Sequence, residues 1–323
     1  MKKYTPPYTI TSKILKFLQD IAREVGILQG RKLADIPLNL RKGNNIKTIQ
    51  ASLAIEGNTL NIDQITHLLN GKRILAPAQD IVEVKNALQV YDSLLDFNPL
   101  DVDDLLRAHK ILMQSLLTDN GNWRNTAVGI LKGTEISHIA PPAKKVPKLM
   151  VDLFEYIKTA DTPWMLKACI FHYELEFIHP FQDGNGRMGR LWQQLLLMKE
   201  DPIFGYIPVE VLIKARQKEY YSVLGESDAA GESTAFIEFS LQLILESLVD
   251  FSKTASRVPA DSSSRLSFSK SPLQNLWFNR KDYMKVQQDI STSTASRDLA
   301  YGVDVGVLQS KGDNNQVYYK FVK

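Results

Sequence analysis

His179-Pro180-Phe181-Gln182-Asp183-Gly184-Asn185-Gly186-Arg187-Met188-Gly189-Arg190 sets a base, an acid, amides, glycines and two guanidiniums side by side. A core segment would have to find partners for every one of those polar groups. An ordinary solvated loop does not sit between two strongly apolar runs. Working outward, Pro163 to Ile178 predicts a helix with Leu166, Cys169, Ile170, Tyr173 and Phe177 as its buried stripe. Thr162 is placed to cap it, and Pro163 suits the first helical position. On the far side Leu191, Leu195 and Met198 mark a second helix. The stretch is therefore a tight loop opening onto a helix N-terminus, between helices of a mainly α protein.

That geometry suits an anion, because the first amides of a helix carry partial positive charge and lack partners. Gly184 and Gly186 allow positive φ and close backbone approach, and Asn185 can add a side-chain donor. Arg187 and Arg190 lie three apart in the first turn, where their planar forks match phosphate oxygens. Asp183 is an acid within this cationic ring and suits Mg²⁺, which takes one or two carboxylates together with phosphate oxygens. His179 alone in the loop exchanges a proton near neutral pH and is the candidate general base. The loop reads as a site for a phosphorylated ligand.

The segment resembles the signature of Fic-domain proteins, HPFx[DE]GNGRxxR, and matches it at every specified position. The resemblance implies a helical bundle with a β-hairpin flap and transfer of AMP from ATP to a Ser, Thr or Tyr hydroxyl of a target protein. It implies that His179 deprotonates the hydroxyl and that Asp183 holds Mg²⁺. Asn185, the amides of Gly184 and Gly186, and Arg187 would hold phosphates, with Arg190 on the γ-phosphate.

A second segment belongs with the first. Ile46 to Gly57 predicts a short helix with Ile46, Ile49 and Leu53 on one stripe and Gly57-Asn58 as its stop. Glu56 then falls in the last turn, where the helix dipole disfavours a carboxylate by roughly 0.3–1 kcal/mol. From the residues alone it reads either as a solvated glutamate at a frayed end or as a functional exception. Ser52-Leu53-Ala54-Ile55-Glu56-Gly57 is similar to the Fic inhibitory motif [ST]xxxE[GN]. The resemblance implies that Glu56, with Ser52 one turn before it, pairs with Arg190 and blocks the γ-phosphate position. In some members the same glutamate is also implicated in removing AMP from the target.

Val128 to Pro142 is rich in valine, isoleucine and glycine without helical spacing, and predicts a hairpin turning near Lys132-Gly133. It reads as a surface hairpin or as an edge that accepts an extended peptide. The Fic resemblance makes it the flap, with Ser137, His138 and Ile139 in the target-docking strand. Gly121-Asn122-Trp123-Arg124 and Pro141-Pro142 also resemble the family.

The chain has 323 residues, 44% hydrophobic and 23% charged, with net charge +3, which gives no strong argument for nucleic acid or membrane. Cys169 is its only cysteine, so no internal disulfide forms. No secretion signal and no long apolar span are evident, and a cytoplasmic protein is expected.

Three parts with a linker are expected. Residues 1–98 are a helical region with the inhibitory helix at about 46–57 and a capping box at Asp80-Ile81-Val82-Glu83. Residues 99–254 are the catalytic domain, and serine-rich 255–270 is a linker. Residues 271–323 resemble a small winged helix-turn-helix domain. Helices start at Arg280 and Ser293, Asp289-Ile290-Ser291 is a turn, and a hairpin turns at Lys311-Gly312-Asp313-Asn314. From Arg280 onward there are seven Lys or Arg against five Asp, a thin footprint for DNA, and Arg297 lies next to Asp298. This module reads as a DNA binder, with Arg297 as contact, or as a protein-contact or dimerisation surface. Homodimerisation is also what the Fic resemblance implies. The leading expectation is a self-inhibited, Mg²⁺- and ATP-dependent adenylyltransferase. The rivals are a DNA-binding regulator with the Fic domain as nucleotide sensor, a de-AMPylase, and an enzyme using another nucleotide.

Overall fold

The computed structural model describes residues 4–30, 38–132, 135–257, 262–273, 276–287, 290–312 and 317–322. In chain order these form α1 (Ser12–Gly30), α2 (Leu38–Ile55), α3 (Ile62–Leu69), α4 (Ala78–Asp92) and α5 (Val102–Leu112). A hairpin of β1 (Gly129–Lys132) and β2 (Glu135–Ile139) follows, then α6 (Val146–Thr159), α7 (Trp164–Ile178) and α8 (Asn185–Glu200). Next come α9 (Val209–Ala215), α10 (Gln217–Ala230), α11 (Thr234–Arg257), α12 (Ser262–Leu273), α13 (Arg280–Val286) and α14 (Thr292–Asp304). A second hairpin, β3 (Leu308–Lys311) with β4 (Tyr318–Phe321), ends the described chain. The protein is mainly helical, as expected. Two compact units are formed, Met1–Ile27 with Lys42–Phe251, and Leu28–Arg41 with Ser252–Lys323.

The core of the first unit is the pair α7 and α8, whose mutual packing is the most extensive between any two helices. The sequence predicts one buried stripe on α7, but almost every residue from Met165 to Ile178 is buried, with Phe177 half-buried. A helix apolar on all sides is one enclosed by neighbours. Phe154 of α6 meets Phe171 edge-on at 5.5 Å, and Trp192 of α8 donates to Pro99 O at 3.1 Å. Residues on both sides of the expected boundary at position 99 pack into this one unit.

Two local expectations gave way to tertiary partners. Pro163, not Thr162, sits at the N-cap of α7; Thr162 Oγ1 instead lies 3.3 Å from the Tyr156 hydroxyl. The capping box at Asp80 to Glu83 is not formed, because α4 begins earlier, at Ala78. Asp80 accepts from Thr59 N at 2.9 Å, and Glu83 accepts from Asn58 Nδ2 at 2.8 Å. These partners from the segment after α2 outcompete the local cap. The inhibitory segment is the end of a longer helix, α2, whose stop is as expected. Gly57 has φ +95°, Asn58 N donates to Leu53 O at 3.1 Å and Gly57 N to Ala54 O at 3.2 Å, a Schellman arrangement.

β1 and β2 pair antiparallel, Gly129 with Ile139, Ile130 with His138, Leu131 with Ile136 and Lys132 with Glu135. The register shifts between Ile130 and Leu131, so Ser137 is the extra residue of a bulge. The expected turn at Lys132-Gly133 falls partly outside the described residues.

In the second unit, Leu266, Leu273, Phe278, Tyr283, Ala295, Leu299, Leu308 and Phe321 make one core. The serine-rich stretch is largely helical rather than a linker, since α11 runs to Arg257 and α12 starts at Ser262. Leu266 and Leu273, seven apart on α12, reach the core, and Ser269 accepts from Gln287 Nε2 at 2.9 Å. The helices expected at Arg280 and Ser293 are α13 and α14, capped by Asn279 and Ser291. Asp289, Asp313 and Asn314 of the expected turns lie outside the described residues. Phe278 bridges to Tyr319 beside the β3–β4 hairpin. Among the described residues no helix is long and apolar enough to cross a membrane.

Candidate functional site

α7 ends at Ile178, and His179 follows in the left-handed region at φ 50°, ψ 60°. A non-glycine residue there is uncommon and is held only by surrounding structure. The holder is Arg124, 4% exposed, whose Nε donates to His179 O at 2.6 Å. Its Nη1 donates to Thr126 O at 2.8 Å, and its Nη2 to Pro141 O at 2.5 Å and Ile178 O at 3.3 Å. Its own amide donates to Pro180 O at 2.9 Å. One guanidinium thus ties the loop backbone to the chain leaving β2. His179 Nδ1 lies 3.3 Å from Glu176 O. A carbonyl only accepts, so Nδ1 carries a proton, and in the neutral ring Nε2 is then the accepting nitrogen.

The Arg124 guanidinium is planar and meets four carbonyls at once, which an ammonium cannot. Arg124→Lys is expected to lower the turnover of any reaction using His179 by about 100-fold, the scale of a 1 Å misplacement. A steady-state rate equal to wild type would remove Arg124 from that role.

His109 on α5 supports the loop from below. Gly121 N donates to its Nδ1 at 2.9 Å, so Nε2 bears the hydrogen and donates to Asp183 O at 3.0 Å. Burial pushes its pKa down to about 4, which keeps the ring neutral. It stacks on Phe181 at 3.7 Å between ring centroids. The Asn185 side chain accepts from Phe181 N and donates to Phe181 O, both at 2.9 Å. Expected as a phosphate donor, this amide spans the loop and fixes its shape.

Gly184 has φ +86° and precedes α8. Gly186 does not need positive φ, contrary to expectation, but needs space. A Cβ there would lie 2.5 Å from Glu56 Oε1 and 3.0 Å from Arg190 Nη1. Asp183, with a side chain 63% exposed, accepts on Oδ1 from Gly184 N at 2.5 Å and Arg187 Nη2 at 3.0 Å. Arg187 Nη1 lies 3.7 Å from Glu83 Oε1, while its buried Nε has no partner.

Arg190 is committed to α2. Nε donates to Ser52 Oγ at 3.1 Å, and Nη2 to Ser52 O at 3.0 Å and Glu56 Oε1 at 2.7 Å. Burial opposes its charge, but Glu56, Tyr220 and Glu176 beside it together more than offset that and raise its pKa. Glu176, Glu210 and Tyr220 surround it, and burial pushes both glutamates up to about 7.

The structure therefore brings His179, Asp183, Gly184, Asn185, Gly186, Arg187, Arg190, Ser52 and Glu56 into one site. Ser137, His138 and Ile139 belong to the paired hairpin, at or beside its bulge. Arg297 belongs to the second unit, exposed on α14. Sequence reasoning missed the parts played by His109, Arg124 and Glu83. They lie far from the loop in the chain, and no periodicity marks them.

The Fic/DOC family model matches residues 99–197. Protein adenylyltransferase Fic of Nematostella vectensis is 28% identical over 204 residues, 59% of this chain and 45% of the relative. Protein adenylyltransferase fic-1 of Caenorhabditis briggsae is 28% identical over 244 residues, 71% of this chain and 45% of the relative. The chain thus spans less than half the length of these curated relatives. Among solved structures, a Fic domain containing signaling protein from Bacteroides thetaiotaomicron shares the fold, with TM-score 0.60 at 20% identity over 76% of this chain and 98% of that one. A Fic family protein from Desulfovibrio desulfuricans G20 superimposes with TM-score 0.75 at 36% identity, covering 99% of this chain and 98% of its own. An end-to-end match of that kind, on a chain whose loop carries the complete signature, means that this protein belongs to the Fic family.

Proposed function

We propose that the protein is a self-inhibited adenylyltransferase that moves AMP from ATP to a Ser, Thr or Tyr hydroxyl of a target protein, itself included. The observation that carries the reading is His179, held in a left-handed conformation with Nε2 as acceptor, at the mouth of a helix presenting Arg187 and Arg190. Nε2 takes the hydroxyl proton, and the oxygen bonds to the α-phosphorus. The bond from that phosphorus to the bridging oxygen breaks, and pyrophosphate leaves. Arg187 has donors to spare for phosphate, its buried Nε among them. Arg190 would take the γ-phosphate once Glu56 withdraws. The β1–β2 hairpin, Ser137 to Ile139 included, would align the target by main-chain pairing.

Asp183 fits Mg²⁺. Its side chain is exposed, and among the described residues only its Oδ1 is engaged. No group of three or more His, Cys, Asp or Glu suited to a metal occurs among the described residues. Mg²⁺ held through one carboxylate and phosphate oxygens needs no such group, and it would neutralise phosphate charge. The relatives named adenylyltransferases support ATP as the donor. Protein labelled from α-labelled ATP with Mg²⁺, and not from γ-labelled ATP, is the expected result. Label from γ alone, or from neither, would sink the reading.

A second reading concerns residues 252–323, which we infer to be a winged helix that contacts duplex DNA. Asp298, which in the sequence offsets Arg297, is fully buried on Arg265 and Tyr283. Arg297 is left exposed with Thr292 and Ser293, and Arg280 Nη1 donates to Ser296 Oγ at 2.9 Å. Retention of duplex DNA should fall with salt, and Arg297→Ala should reduce that salt slope by about 1. Absence of salt-dependent binding refutes this reading.

A further inference from the structure

The last four carbonyls of a helix lack helical partners. At the end of α2, Ser52 O accepts from Arg190 Nη2 at 3.0 Å. Leu53 O accepts from Glu56 N at 3.0 Å and Asn58 N at 3.1 Å, and Ala54 O from Gly57 N at 3.2 Å. The fourth, Ile55 O, is taken by Gln217 Nε2 of α10 at 2.9 Å. Of these donors only Gln217 lies outside both α2's own terminus and the helix of the signature loop. The Ile55 carbonyl shares its peptide plane with the Glu56 nitrogen, so holding it fixes the Cα of Glu56. From there the carboxylate reaches Arg190 Nη2 at 2.7 Å.

The preceding chain runs along the same helix. Asn44 Nδ2 donates to Tyr206 O at 3.1 Å, and Lys214 Nζ to Gln50 Oε1 at 3.2 Å. Tyr221, one turn after Gln217, lies close enough that Glu56, after burial, helps to raise its hydroxyl pKa.

We propose that Gln217 is a positioning residue of the inhibited state, latching the Ile55–Glu56 peptide so that Glu56 stays on Arg190. This rests on reading Glu56 as a brake. α10 also runs beside β2 of the flap, so one helix touches both the brake and the strand proposed to receive a target.

The test is AMP transfer from α-labelled ATP by the full chain, in wild type and in Glu56→Gly. Gln217→Ala should raise wild-type transfer about 3- to 10-fold, the worth of one hydrogen bond to a buried terminus. Gln217→Lys, which still donates, should stay near wild type. In the Glu56→Gly background Gln217→Ala should change nothing. Gln217 is half-buried, and melting temperatures check that each variant folds. Equal transfer by Gln217→Ala and wild type, with Glu56→Gly raised, overturns the latch alone. So does a rise of the same size in both backgrounds. A Glu56→Gly variant no faster than wild type overturns the brake reading, and the latch with it.

Discussion

Glu56→Gly is expected to raise AMP transfer about 10- to 100-fold over wild type, read as the initial rate of protein labelling from α-labelled ATP. The pair it removes is a charge-assisted hydrogen bond of 2.7 Å to a nearly buried guanidinium. Such bonds are worth about 1.5–3 kcal/mol, and every 1.4 kcal/mol is tenfold in an equilibrium. Removing the carboxylate shifts the balance at Arg190 from Glu56 towards phosphate by that amount. Glu56→Gln keeps an acceptor but not the charge, and should fall between the two. The buried Arg190 does not lose every counter-charge, because Glu176 is close by, with burial first and then Glu56 holding its pKa up. With Glu56 gone that repulsion goes too, and Glu176 ionises more readily beside Arg190. The melting temperature should therefore fall little. A labelling rate unchanged by Glu56→Gly would end the autoinhibition reading.

His179→Ala, made in the Glu56→Gly background so that the starting rate is high, is expected to lower transfer by about 10²- to 10⁴-fold. Neither of the nearby buried histidines, His109 and His172, can take the hydroxyl proton in its place. His109 is committed through both ring nitrogens and is kept neutral with a pKa near 4. His172 is fully buried, bonded to Gln193 and Tyr220, and pushed down to about 3. ATP affinity should stay within about twofold, because the proposed phosphate donors are backbone amides and arginines elsewhere in the loop. A loss of ATP binding parallel to the loss of rate would make His179 a binding residue. Undiminished transfer would remove it from the base position.

The loop chemistry was legible because its residues are contiguous. A base, an acid, glycines and paired arginines at fixed offsets carry their geometry with them, since a loop entering a helix leaves few ways to place neighbours. Gly57 as the stop of α2 and the hairpin at Gly129 to Ile139 were readable for the same reason: φ requirements and β-branched runs act within a few residues. Burial all round α7 was not readable, because it depends on which helices enclose it rather than on its own pattern. The lost cap at Asp80 and the helix within the serine-rich stretch are of the same kind. Local preferences there are worth about 1 kcal/mol, and a partner from a distant segment outweighs them.

The sequence by itself thus determined what chemistry the protein holds: the signature loop, the acid that could oppose it and the mainly helical class. Tertiary structure alone decided how those parts meet. It put Glu56 on Arg190 across 134 positions of chain. It turned Asn185 inward to shape the loop, set Arg124 under His179, and seated Gln217 on the last carbonyl of α2. Long-range hydrogen bonds of this kind leave no period in a sequence, because each is closed by the packing of whole helices rather than by the spacing of its own residues.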